Sequence, residues 1–163
     1  MEQKKINPLH IEKLKEVVNQ SPYSELLGMK LVDLGPGFSI IELDVEPKHH
    51  NPFGSVHGGC YASIIDSAAY WAAYCNKDED SGFTSLDLEV TNLAMAYTGK
   101  LIATATAIKE GRSIVLCEVT LTDKSGKIIA YGTSKLMSLQ GRQSVSDILR
   151  SMDCDPLPVK FLD

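Results

Sequence analysis

Residues 58 to 75, GGCYASIIDSAAYWAAYC, limit what this chain can fold into more than any other stretch. Tyr61, Ile64, Ile65, Ala68, Ala69, Ala72 and Cys75 recur at spacings of three and four, the period of an α-helix. Apolar residues cover much of the circumference and many are small, so the helix must be enclosed rather than laid on a surface. The apolar part is shorter than the ~20 residues that cross a bilayer and carries an acid, Asp66, so a membrane span is set aside. The enclosing layer must come from the rest of the chain.

That remainder reads mostly as strands. Residues 9 to 19, LHIEKLKEVVN, predict a modest amphipathic helix through Leu9, Leu14, Val17 and Val18, ending before Ser21-Pro22. Two runs flank Gly35-Pro36-Gly37, and the second alternates Ile41, Leu43 and Val45 with Glu42 and Asp44, which predicts a hairpin. After the long helix come FTSLDLEVTNL, KLIATATAIKE, SIVLCEVTLTD and KIIAYGTSKLM, parted by short breaks that bear Gly. Their β-branched content and those breaks suit antiparallel hairpins, hence a meander of four strands. The expected class is α+β, one antiparallel sheet wrapped around a long central helix. Beyond it a short helix capped by Ser144 or Ser146 precedes an extended segment with prolines.

With 163 residues the chain is expected to form one core without metal or disulfide staples. Its net charge of −5, with sixteen scattered Lys and Arg, argues against a nucleic-acid partner. The first twenty residues mix both charge signs and lack the apolar centre of a secretory signal, so the expected location is cytoplasmic. Cys60, Cys75, Cys117 and Cys154 form no CxxC pair, and His49 and His50 have no ligand at metal spacing. No metal and no redox cofactor are expected.

Within NPFGSVHGGCYASIID, Gly58 and Gly59 open the helix, where unshielded amides lie at the positive end of the dipole. Such amides can hold a developing negative oxygen. Asp66 lies seven residues beyond Gly59, on nearly the same face but roughly 10 Å along the axis. One helix cannot bring both to one small group, whereas two antiparallel copies across a two-fold axis would set the glycines of one against the acid of the other. An acid on this otherwise apolar face is expected to line a cleft or meet a partner.

Asn51, the His57-Gly58-Gly59 triplet and Asp66, with the later FTSLDLEV run that contains Ser85, resemble the motif of hotdog-fold acyl-CoA thioesterases of the phenylacetate-degradation (PaaI-like) type. The likeness covers roughly residues 25 to 138. It implies an N-terminal helical extension over 1–27, a hotdog thioesterase domain over 28–138 and a C-terminal tail with a short helix over 139–163. It also implies an acyl-CoA substrate, a homodimer or dimer of dimers, and roles for individual residues. The Gly58 amide would polarise the thioester carbonyl, with Asn51 near the same group. Asp66 of the neighbouring subunit would be general base or nucleophile, Ser85 would hold the water, and His57 would orient the loop. Gly59 would also contact substrate, and Lys109 and Arg112 at a hairpin tip would meet the phosphates of coenzyme A. Two alternatives stay open at this point: a hotdog dehydratase or hydratase, and a non-catalytic acyl-CoA binding protein.

Overall fold

The computed structural model describes residues 5 to 162. Along the chain run β1 (Lys5–Ile6), α1 (Pro8–Asn19), α2 (Pro22–Leu27), β2 (Met29–Gly35), β3 (Phe38–Asp44), a single 3-10 turn at Pro47–His49, and α3 (Gly58–Tyr74). There follow β4 (Ser81–Asn92), β5 (Lys100–Glu110), β6 (Ile114–Asp123), β7 (Ile128–Gln140), α4 (Val145–Ser151) and β8 (Phe161–Leu162).

α3 is the enclosed helix that its apolar circumference requires. Ile64, Ile65, Ala68, Ala69, Ala72 and Ala73 are wholly buried. Small residues let the sheet come close. At Gly132 of β7 an added Cβ would lie 2.8 Å from Ile65 Cγ2, and Ser39 of β3 donates from Oγ to the Ala68 carbonyl at 2.6 Å. The sheet is six-stranded and antiparallel, in the order β2-β3-β5-β6-β7-β4, and curls around α3.

The expected meander is corrected at one strand. β5, β6 and β7 are joined by hairpins, but β4 pairs with β7 from Ser81↔Gln140 to Asn92↔Ala130 and forms the far edge. The β4–β5 connection therefore crosses the end of α3 instead of turning tightly. It is pinned there, the Ala96 N–H donating to Tyr61 Oη at 3.0 Å and the Val56 N–H to the Ala96 carbonyl at 2.8 Å. Local turn residues describe loop chemistry but not which edge a strand joins.

α1 also packs with a shifted face. His10, Leu14 and Val18 are buried, while Leu9 is half exposed. His10 takes the inward place because it has polar partners: Nδ1 donates to the Pro158 carbonyl at 2.6 Å, so Nε2 accepts from Tyr74 Oη at 2.7 Å. α2 is an element beyond those predicted. Its signals are Ser21 before Pro22 at the start and Gly28 at φ 73 at the end.

Candidate active site

The α3 N-terminus is built by the loop before it. Asn51 Oδ1 accepts from the Phe53 and Ser55 N–H groups at 2.9 and 3.3 Å, and its Nδ2 donates to Ser55 Oγ at 2.9 Å. These bonds fold the loop into an Asx turn. The His57 N–H donates to the His49 carbonyl at 2.8 Å, and His49 is itself buried, its ring bonded to the Glu46 N–H and the Leu27 carbonyl. His57 is the N-cap of α3. Its Nδ1 accepts from the Gly59 N–H at 2.8 Å.

That cap separates the two glycines. The Gly59 amide is taken by the His57 ring, whereas the Gly58 amide meets no acceptor among the described residues. Gly58 lines a cavity of about 490 Å³ with Asn51, Phe53, Tyr61, Asn92 and Met95. A Cβ at Gly58 would come within 2.7 Å of Asn92 Nδ2, so this position is already crowded by a side-chain amide. Asn92 was not among the residues expected from the sequence. It sits at the end of β4, and only the crossing of that strand's end over α3 brings it here.

Two turns along α3, Asp66 is partly exposed, on the one face of the helix, with Ala62, Ser63, Ser67 and Tyr70, that the sheet leaves uncovered. Its Oδ1 accepts from Ser85 Oγ at 2.9 Å. What aims Ser85 inward is a bulge. Ser85 pairs with Leu136 and Asp87 with Lys135, so Leu86 is the extra residue on β4. Before the bulge Phe83 and Ser85 face α3; after it the parity switches, and Leu88 and Val90 pack against the core while Asp87 pairs outward with Lys135 Nζ at 2.7 Å. Without the extra residue one half of the strand would face the wrong side.

Asp66 also forms part of a second cavity, about 340 Å³, walled by Val18, Met29, Tyr70, Trp71, Ile148 and Met152. Burial pushes the Tyr70 hydroxyl up to about 12, and it donates to the Gln143 carbonyl at 2.9 Å. Within one chain, then, Gly58 and Asp66 line different cavities, eight residues and roughly 12 Å apart along the helix axis. The remaining expected residues, Lys109 and Arg112, lie where β5 turns into β6. Asn76 and Lys77 tie that turn to the C-terminal end of α3, donating to Glu110 Oε1 and the Gly111 carbonyl, each at 2.6 Å. They are at the opposite end of the helix from Gly58.

The thioesterase superfamily model matches residues 53–130, which include Gly58, Asp66, Ser85 and Asn92. Human acyl-coenzyme A thioesterase 13 is 33% identical over 124 residues, covering 74% of this chain and 88% of the relative. A 1,4-dihydroxy-2-naphthoyl-CoA hydrolase of Listeria monocytogenes is 31% identical over 105 residues, 64% of this chain and 85% of the relative. Among solved structures, zebra fish thioesterase superfamily member 2 superposes with a TM-score of 0.70 at 27% identity, over 78% of this chain and 96% of that one. A Haemophilus influenzae thioesterase at 22% identity shares the fold, with a TM-score of 0.77 over 87% and 97% of the two chains. With the sheet-wrapped helix and the HGG opening of α3, these matches establish that the chain belongs to the thioesterase superfamily, as a thioester hydrolase of hotdog fold.

Proposed function

We propose that the protein hydrolyses an acyl-CoA thioester to the free acid and coenzyme A, in a reaction centre shared by two chains. The observation that carries this reading is the pair of half-sites on one helix. A free amide donor stands at Gly58 and a carboxylate bonded to Ser85 stands two turns on, too far apart to act on one carbonyl within a chain. A second copy antiparallel to the first closes that gap. The edge position of β4 supports such a pairing, since among the described residues this strand of twelve residues pairs with β7 alone, and it presents Leu86 half exposed. An open edge of that length is a template for another strand.

In this arrangement the thioester oxygen points at the Gly58 N–H, which meets the charge that develops there. Asp66 from the other chain removes a proton from water as the water attacks the carbonyl carbon, and Ser85 holds both. The carbon–sulfur bond then breaks, and the thiolate of coenzyme A leaves and is protonated. His57 acts through Gly59, holding the helix opening, and Asn51 holds the loop that borders the thioester. The Gly59 N–H is occupied by His57, so the contact assigned to Gly59 is its bare Cα, which leaves room for the substrate. Lys109 and Arg112 of the chain that supplies Asp66 extend beyond the first chain's Gly58 and face the phosphates of coenzyme A. The setting that goes with this reading is cytoplasmic.

Replacing Asp66 by Asn keeps the shape and removes the base. The expected result is a loss of at least about a hundredfold in kcat, the scale of general-base catalysis, with the oligomer unchanged on size exclusion. Turnover equal to the unaltered protein would take Asp66 out of the reaction. A hydratase would instead consume an enoyl thioester without releasing thiol, so thiol release from saturated acyl-CoAs separates the two chemistries.

A further inference from the structure

The C-terminal tail lies beyond residues 53–130 that the family model matches, yet its helix α4 supplies part of the wall of the cavity at Asp66. Its seat there is built at both ends. Where the chain leaves β7 it crosses Gly82 of β4 so closely that an added Cβ would lie 2.0 Å from the Gln143 carbonyl oxygen and 2.3 Å from that of Arg142. Gln143 adopts φ 50, a conformation that costs a side-chain-bearing residue, and Tyr70 of α3 bonds its carbonyl. Ser144 and Asp147 then close a capping box, and Val145, the first residue of α4, is buried.

The far end is fastened too. Lys160 is fully buried and donates from Nζ to the Tyr74 and Lys77 carbonyls at the C-terminal end of α3, both at 2.7 Å. β8 pairs with β1 beside it. The segment that carries α4 is thus fixed by a backbone crossing at one end and a buried lysine at the other.

On the reading that Asp66 is the base of a thioesterase, we propose that this cavity receives the acyl group and that Ile148 of α4 and Met152, just after it, end it. Val18, Met29, Trp71, Ile148 and Met152 suit a hydrocarbon, with serines between them, and Asp66 in the same wall places the thioester carbon at the base. A cavity of about 150 Å³ accepts a benzene ring of six carbons; on that scale the 340 Å³ here, open to solvent on one side, hold at most about fourteen. The substrate class is therefore an acyl-CoA of medium length, about eight to twelve carbons, and longer chains run into α4.

The test is a series of saturated acyl-CoAs from butanoyl to hexadecanoyl, with kcat/KM measured for the full-length protein and two variants. For the unaltered protein the maximum falls at about eight to twelve carbons. Shortening the end wall with Ile148→Ala plus Met152→Ala moves the maximum toward hexadecanoyl. Filling the cavity with Ile148→Trp lowers the decanoyl-to-butanoyl ratio by about tenfold or more, the scale of a misfitted methylene or larger group in an apolar pocket. Circular dichroism checks that each variant is folded, and the alanine pair decides if the tryptophan variant is not. A maximum at hexadecanoyl in the unaltered protein, or folded variants whose profile superimposes on it, overturns the assignment. A protein that releases thiol from no acyl-CoA in the series overturns the reading of the reaction itself, which is a different result.

Discussion

Leu86, the extra residue in β4, does more for the site than its exposed side chain suggests. By adding one residue it lets Ser85 and Leu88 both face α3. The switch from odd to even inward positions is present in the sequence as Phe83 and Ser85 followed by Leu88 and Val90. An alternation read as one unbroken strand hides it. Asp66 and the Gly58-Gly59 opening of α3 were legible because a helix start and a carboxylate in an apolar run are local signals; His57 was expected to orient the loop, and its capping of α3 emerges only in the fold. The capture of the Gly59 amide and the arrival of Asn92 depend on which ring nitrogen points where and on a strand crossing, which are not local. Ser85→Ala leaves the Asp66 carboxylate without its hydroxyl partner and the attacking water without a holder. We expect kcat to fall about tenfold with KM nearly unchanged, the cost of loosened positioning; a raised KM with kcat unchanged would assign Ser85 to ground-state binding instead.

α3 and the six strands of the main sheet were read from periodicity with boundaries within a few residues of those observed, because each buries an apolar pattern; the short β1 and β8 were not read. β4 was assigned as a strand but not as an edge, since strand order is set by long-range packing around the helix and not by the turns. The tail was the least legible element. Its anchor, Lys160, looks like any solvated lysine near a terminus until folding places it over the Tyr74 ring, 3.7 Å from the centroid, at the end of α3. Burial lowers its ammonium to about 8 from an ordinary 10.5. Below about 8 the group is charged in folded and unfolded chains alike and the cost of burying the charge is felt in full. Between 8 and 10.5 the unfolded chain binds the proton and the folded one does not, so folding is favoured more strongly as pH rises. Lys160→Met removes this titration. The unaltered protein is expected to gain stability over the variant between pH 7.5 and 10, by on the order of 3 kcal/mol at most, as read by urea unfolding at each pH. A constant difference would show that the lysine holds the same charge when folded.

At the scale of the whole molecule, the fold sets a long helix inside a sheet and exposes its two chemical stations at different places on the surface. Neither station is a complete site. On the proposed mechanism the acid needs an electrophile held by amide donors, the donors need a base, and the β4 edge offers a route to joining them across a two-fold axis. The central claim is therefore that one reaction centre draws on two chains, and complementation tests it most directly. Gly58 is the first residue of α3, where a helix accepts proline; the substitution removes the N–H, and its ring also displaces the Asn92 amide, whose Nδ2 would lie 2.7 Å from a Cβ there. Gly58→Pro and Asp66→Asn chains are each made alone, then co-expressed in equal amount. Each alone should be nearly inactive. Random pairing makes half the dimers mixed, each with one intact centre of two, so about a quarter of the activity of the unaltered protein should return. A co-expressed preparation no more active than the separate variants, with mixed dimers present by mass, would contradict the account.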